Sequence, residues 1–335
     1  MVSMKMFAHI PHPVIGKIYA LTIPMMAAKT IDVFLRMCRF ISFLAKNSDT
    51  IMNKSTHLPL LAVFVSLISI QTGAAFAKSA FSVVGPLGMS ALRVGIAMLL
   101  LAVVFKPWTL RTDKKGWSTL ATYGVMMGAM NILIYMSFQY IPVGIAISIE
   151  VLGPLTVAVL ASRQKSDLAW IGFALIGLLL LPLGGQNGPL DPRGIAYVIA
   201  AAFCWGIYVR VGGKAAEFGS RGVAAGTVFA SLFIVPIGIY QGGFALLIPD
   251  IFMLGFLIAI MSSALPFLLD IYALRRLSSN TFGILMSASP AVSALSGFFI
   301  LGEKLSLAQC SGILAITAAC MGATLCAQSK REQNK

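Results

Sequence analysis

Histidine is missing from every position after His57. The other two, His9 and His12, also precede the apolar part of the chain, so no imidazole is available within it for a metal site or a proton relay. Cysteine is sparse and odd in number. Cys38, Cys204, Cys310, Cys320 and Cys326 show no CxxC spacing, and four of them lie in apolar runs where a thiol acts as a small hydrophobe. Neither a disulfide framework nor a zinc site is indicated. The motifs GxxxxGK[ST], HExxH and GxSxG are absent too, which argues against an ATP-driven pump, a zinc protease and a hydrolase of the Ser-nucleophile type. No cofactor is implied, and no loop exceeds about a dozen residues, which argues against a receptor or scaffold with a folded soluble domain.

Charge is the scarcest resource: only 11% of the 335 residues are Asp, Glu, Lys or Arg, whereas 58% are hydrophobic. A mean hydropathy of +0.90 excludes an ordinary soluble domain. Apolar runs long enough to cross a bilayer as helices recur ten times, at 58–81, 86–105, 117–138, 143–161, 168–184, 193–211, 222–241, 251–274, 281–301 and 307–327. No ten-residue alternating pattern recurs as an outer-membrane barrel would need. The expected fold is an all-α integral membrane protein.

Lysine and arginine set its orientation. Lys54, Lys106, Arg111, Lys114, Lys115, Arg163, Lys165, Arg210, Lys214, Arg221, Arg275, Arg276, Lys330, Arg331 and Lys335 fall at alternate ends of the spans, fifteen on one side. The opposite loops hold Arg193 and Lys304. Both termini are therefore expected in the cytoplasm, and the net charge of +14 reflects topology rather than a nucleic-acid surface. Residues 1–51 stand apart as a basic extension without a clean span or signal-peptide pattern. Two readings stay open for it: an amphipathic tail, or an upstream overextension of a reading frame that starts at Met52. The remaining divisions are a first five-helix unit at 52–190, a second at 191–327 and a cytoplasmic tail at 328–335.

The two units show weak internal similarity. Setting Pro154 on Pro290 aligns two helices of small and aliphatic residues, each followed by a polar corner, with Ser166 and Gly172 opposite Ser306 and Gly312. Because each unit has an odd number of helices, a true repeat is inverted, and its interface is where a midplane substrate site is expected.

Four ionisable residues lie within the spans, where charge is costly and points to function. Arg93 and Glu150 each sit seven residues from the outer end of their spans, about 10 Å deep. They are placed to meet, either as a fixed ion pair joining two helices or as a pair in which Glu150 exchanges a proton for substrate. Lys78 stands near the outer end of the first span, as an interfacial anchor or in the same layer. Asp270 belongs to the inner half of the eighth, with Arg275 and Arg276 as the partners a structural reading would give it.

The corner "LGEKLSLAQCSGILAI" carries Gly302, Glu303, Ser306, Gln309 and Gly312 in the pattern G-E-x-x-[ST]-x-x-Q-x-x-G. It resembles the signature before the last helix of the drug/metabolite transporter superfamily, EamA type. The stretches "SIQTGAAFAKS", "GMSALRVGIA", "IPVGIAISIEVLGPLTVAVLASR" and "LSSNTFGILMS" are similar to the branch of bacterial inner-membrane exporters of threonine and homoserine. The likeness runs from residue 57 to about 327, with one departure: Ser289 stands where that branch carries an acid before the proline.

The resemblance implies ten helices in two inverted repeats and export of a small amino acid, with protons as the coupling partner and lipid as the surroundings. A homo-oligomer is left open, as is export of another metabolite, drug or nucleobase. A zwitterionic substrate needs a cation for its carboxylate, an acceptor for its ammonium and hydrogen bonds for a hydroxyl. Beside the four charges, Gln71 shares a helix face with Lys78, Asn131, Tyr135 and Gln139 form a stripe at i, i+4 and i+8, and Trp205 and Tyr208 lie three apart. A packing role suits the last two equally well.

Overall fold

Helix boundaries in this chain follow the supply of backbone donors. The computed structural model describes residues 57–162, 165–181, 190–274, 276–277 and 279–333, so the extension at 1–51 and the side chains of Arg275 and Lys330 lie outside the described residues. All regular structure among them is helical: α1 (His57–Ser79), α2 (Phe81–Phe105), α3 (Lys114–Phe138), α4 (Val143–Glu150), α5 (Leu152–Ser162), α6 (Lys165–Leu180), α7 (Pro192–Ala215), α8 (Gly219–Gly242), α9 (Pro249–Ala259), α10 (Leu265–Leu274), α11 (Ser279–Met286), α12 (Ser289–Ser296) and α13 (Leu307–Gln333). Among the described residues, seven helical stretches are long and apolar enough to cross a membrane, with Val143–Val157 and Pro249–Ala264 shorter apolar stretches beside them. The last helix continues through the first part of the expected tail.

Proline explains most of the interruptions, since it lacks the N–H that residue i−4 would otherwise receive. Pro154 deprives the Glu150 carbonyl, and the expected fourth span breaks there into α4 and α5. Pro290 deprives Met286, and the break between α11 and α12 follows; the Ser289 hydroxyl donates to the Met286 carbonyl instead, at 2.7 Å. Pro266 follows a π-helical turn, Ile260–Ala264, that joins α9 to α10; its bonds run i→i−5, so Pro266 deprives the Met261 carbonyl, to which the Ser69 hydroxyl of α1 donates instead at 2.7 Å. In α2 the kink falls at Gly85 (φ 71°, ψ 168°), and the N–H groups of Leu87 and Gly88 beyond it donate to Gln241 Oε1 of α8 at 2.8 and 3.3 Å.

Helix association in lipid depends on close packing rather than on expulsion of water. The principal neighbours are α2 with α8, α3 with α7 and α8, α6 with α13, α1 with α10, and α4 with α12. Gly177 of α6 and Gly312 of α13 face each other so closely that a Cβ on either would lie 2.7 Å from the other's carbonyl oxygen. All eight residues of α4 are buried, and Val143, Ile145, Tyr135, Phe138, Ile258 and Ile316 share one core around it. Large apolar side chains such as Phe203, Val103 and Phe299 cover the outside, as a lipid-facing surface requires.

Gly177→Ala is expected to destabilise the bundle by about 1–3 kcal/mol, since the new methyl meets backbone that cannot turn aside. Gly172→Ala, on the same helix but with open space around it, should be neutral or slightly stabilising. Thermal unfolding of the two purified variants checks this, and equal midpoints would refute it.

Candidate functional site

Arg93 projects from α2 into acceptors offered by two other helices. Its Nη1 donates to Tyr135 Oη of α3 at 3.1 Å, Nη2 to the Ser262 carbonyl at 3.3 Å and Nε to Ser263 Oγ at 3.3 Å. The guanidinium also lies 5.4 Å from the centroid of the Tyr135 ring. The Ser262 carbonyl lies in the π-helical turn just before Pro266. The irregular backbone there offers the arginine an acceptor.

Every partner of Arg93 is neutral. Glu150 is 4% exposed at the end of α4 and lies within the electrostatic reach of Arg93, yet no salt bridge joins them and Glu150 Oε1 has no hydrogen-bond partner. The expected fixed ion pair between these helices is thus not formed. Gln71 Oε1, Ser90 Oγ and Ser262 Oγ are likewise buried without partners, on α1, α2 and the π-helical turn. Buried polar atoms are nearly always paired, so these groups stand out as candidates.

Of the stripe on α3, Tyr135 is bound to Arg93 and Asn131 is buried, donating to the Met127 carbonyl at 2.8 Å. Gln139 is exposed at the helix end.

Asp270 occupies a second position further along α1. Ser66 stands beside it, and neither Asp270 Oδ1 nor Ser66 Oγ has a partner of ordinary geometry. Arg276, the expected partner that is described, donates instead to the Tyr272 carbonyl at 3.5 Å and stacks on that ring. Tyr208 lies within the field of Asp270 and shares a 3.0 Å hydrogen bond with Tyr123, their rings stacked 4.7 Å apart. Trp205 packs against the main core.

Lys78 and the signature corner form a third position, about 18 Å along α1 from Ser66. Lys78 Nζ donates to Glu303 Oε1 at 2.7 Å and to the Ile141 carbonyl at 3.0 Å. The other oxygen, Glu303 Oε2, accepts from the Val143 N–H at 3.0 Å, the first residue of α4. One carboxylate thus neutralises a cation and satisfies a helix N-terminus that no side chain of its own segment caps. Lys78 is therefore neither a free interfacial anchor nor a member of the Arg93 cluster. Sequence reasoning placed Glu303 only in a family pattern; the one available signal was a carboxylate and a lysine at the same expected membrane face.

The rest of the signature reads as local structure. Gly302 takes a left-handed φ of 68° to turn the chain. Ser306 Oγ accepts from the Gln309 N–H at 3.2 Å while Gln309 Oε1 accepts from the Ser306 N–H at 3.0 Å, a reciprocal capping box for α13. Gln309 Nε2 also reaches the Leu181 carbonyl at 3.3 Å. Gly312 is the partner of Gly177.

An all-helical, multi-pass bundle with charged and amide side chains turned inward defines a membrane transporter rather than an enzyme. The chain belongs to the EamA-like transporter family, which its residues 192–325 match. It is 46% identical over 270 residues to the threonine/homoserine exporter RhtA of Escherichia coli K12, covering 80% of this chain and 92% of that protein. The corresponding RhtA of Salmonella typhimurium LT2 is 44% identical with the same coverage. A solved crystal structure shares the fold with a TM-score of 0.54 at 18% identity, covering 80% of this chain and 97% of that one.

Lys78→Gln and Glu303→Gln should each lower stability by about 2 kcal/mol, because each leaves a largely buried charge without its counterion. The double variant should lose no more than the worse single one. A double-mutant cycle on thermal midpoints measures the coupling, and strictly additive losses would show that the pair contributes nothing.

Proposed function

We propose that this protein is a secondary active exporter of small amino acids, threonine and homoserine first among them, working by proton antiport and alternating access across a bacterial inner membrane. The observation that carries the reading is the separation of Arg93 and Glu150. Each is a charge turned inward, each feels or exerts the other's field, and neither has a salt-bridge partner among the described residues. A zwitterion fits that arrangement, its carboxylate at Arg93 and its ammonium at Glu150. Gln71, Ser262 and Tyr135 then supply hydrogen bonds for a side-chain hydroxyl. Glu150 is the proposed proton carrier, because an acid that holds either a proton or the substrate ammonium couples the two by competition.

The substrate itself follows the RhtA relatives, whose names specify threonine and homoserine. Ser289 bears on specificity less than its position suggested, since its hydroxyl is engaged by the Met286 carbonyl. Ten spans in two inverted repeats, with both termini cytoplasmic, complete the proposal. The packing supports the repeat: shifting each span by five carries the α3–α7 pairing onto α10–α1 and returns α2–α8, α4–α12 and α6–α13 onto themselves. Rocking one half against the other would then expose the same central groups to either side.

Efflux of labelled threonine and homoserine from preloaded cells tests the proposal. Wild-type protein should accelerate efflux over an empty vector, and a protonophore should abolish the gain. Arg93→Gln should reduce it about 30-fold or more, the cost of a lost buried counterion, and Glu150→Gln should remove its dependence on the proton gradient. Equal efflux with and without the protein, once it is confirmed in the membrane, would discard both substrates.

A further inference from the structure

At the basic end of the bundle an open cleft of about 670 Å³ lies between the end of α2 and the start of α8. Val104, Phe105, Lys106, Thr109, Phe218, Ser220 and Arg221 line it. No carboxylate is among them. Of the acids nearby in sequence, Asp113 is committed to capping α3 through the Gly116 N–H at 2.7 Å, and Glu217 is exposed outside the lining.

Three independent features suit an anion there. Lys106 and Arg221, both exposed, bring two positive charges to one cleft. The 24-residue helix α8 begins at its edge with no side chain capping its N-terminus, so first-turn N–H groups and the positive end of the helix dipole face the same region. Lys106 also holds a left-handed backbone, φ 48°, at the position after α2 where glycine is favoured. A lysine kept at that conformational cost, with Thr109 Oγ1 bracing the turn through the Lys106 carbonyl at 2.8 Å, is there for its side chain.

The rest of the lining is apolar, and the neighbourhood is that of a membrane surface. Val103 and Val104 are exposed on the last turn of α2, and Trp108, 68% exposed, projects where aromatic side chains mark the bilayer interface. A free anion gains nothing from Val104, Phe105 and Phe218, whereas a lipid places its acyl chains beside such residues and its phosphate beside the cations. We propose that this cleft binds the phosphate headgroup of an anionic membrane lipid, with Lys106, Arg221 and the start of α8 as its holders. Lipid bound there ties α2 to α8, the two helices that pack most extensively across the halves of the molecule.

The full-length protein in nanodiscs of phosphatidylcholine, with and without added phosphatidylglycerol, provides the test. Phosphatidylglycerol should raise the thermal midpoint, and titration of its mole fraction should show affinity falling about fivefold for each cation removed in Lys106→Gln and Arg221→Gln. Lys114→Gln with Lys115→Gln, cations on the same face outside the cleft, should leave the response intact. Lys106→Gly separates binding from folding: it removes the charge and relaxes the positive φ, so it must lose lipid response without a lower starting midpoint. An equal response in wild type and in the Lys106→Gln, Arg221→Gln double variant would overturn the proposal. So would a matching rise from inorganic phosphate alone in phosphatidylcholine, which would assign the cleft to a soluble phosphorylated ligand.

Discussion

A proline leaves the carbonyl four residues before it without a helical donor, and in hydrocarbon that carbonyl has no water to turn to. This constraint organises the interior of the molecule. Pro266, after a π-helical turn with i→i−5 bonds, frees the Met261 carbonyl, which Ser69 fills beside the Ser262 carbonyl that Arg93 takes; Pro290 frees Met286, which Ser289 fills; Pro154 frees Glu150 and ends α4 at the one acid buried in its span. Interruption of helices and placement of polar side chains are thus one design.

Charge at the signature corner obeys the same economy of partners. Glu303 could not remain in a partly buried loop as an isolated carboxylate, nor could α4 begin there with its N–H groups unmet. Each solves the other's problem, and Lys78 completes the set with two acceptors, one charged and one backbone. Because Lys78 comes from the first half and Glu303 from the second, the contact also ties the halves together at one end while Arg93 and Glu150 stand apart deeper in.

Much of this was legible in the sequence, and for a physical reason. Hydrophobic length and scarce charge announce helices in a bilayer, and the few intramembrane charges announce where to look. Arg93, Tyr135, Gln71 and Asp270 were found that way and do turn inward. Pairing was less legible. Arg93 and Glu150 have opposite charge and similar depth, which predicts a bridge, but depth along a helix says nothing of direction around it. Neutral acceptors, Tyr135 Oη, Ser263 Oγ and the Ser262 carbonyl, hold Arg93 instead. Lys78 was misplaced for a related reason: its partner comes from a loop 225 residues away, and only the packing of α1 against the second half brings them together. The break of the expected fourth span at Val151 was marked by Pro154, a residue that reads as a hinge or as packing until its missing donor is assigned.

The two halves differ in what they contribute. Under the alignment of Pro154 with Pro290, Glu150 falls opposite Met286, so the second half has no counterpart of that acid. It contributes backbone instead. Both π-helical turns among the described residues, Ile260–Ala264 and Gly297–Leu301, belong to the second half: the Ser262 carbonyl of the first accepts from Arg93, and the Gly297 carbonyl of the second accepts from the backbone N–H of Glu303 at 3.1 Å, which closes that helix end locally. Such turns are wider than an α-helix and less evenly bonded, so their carbonyls are available to outside donors. Arg93 thus meets irregular backbone contributed by residues beyond 190, the part of the chain that also carries Asp270 and Glu303. The Ser262 carbonyl is thereby held by a side chain of another helix, a contact that does not depend on the hydrogen-bond ladder of its own.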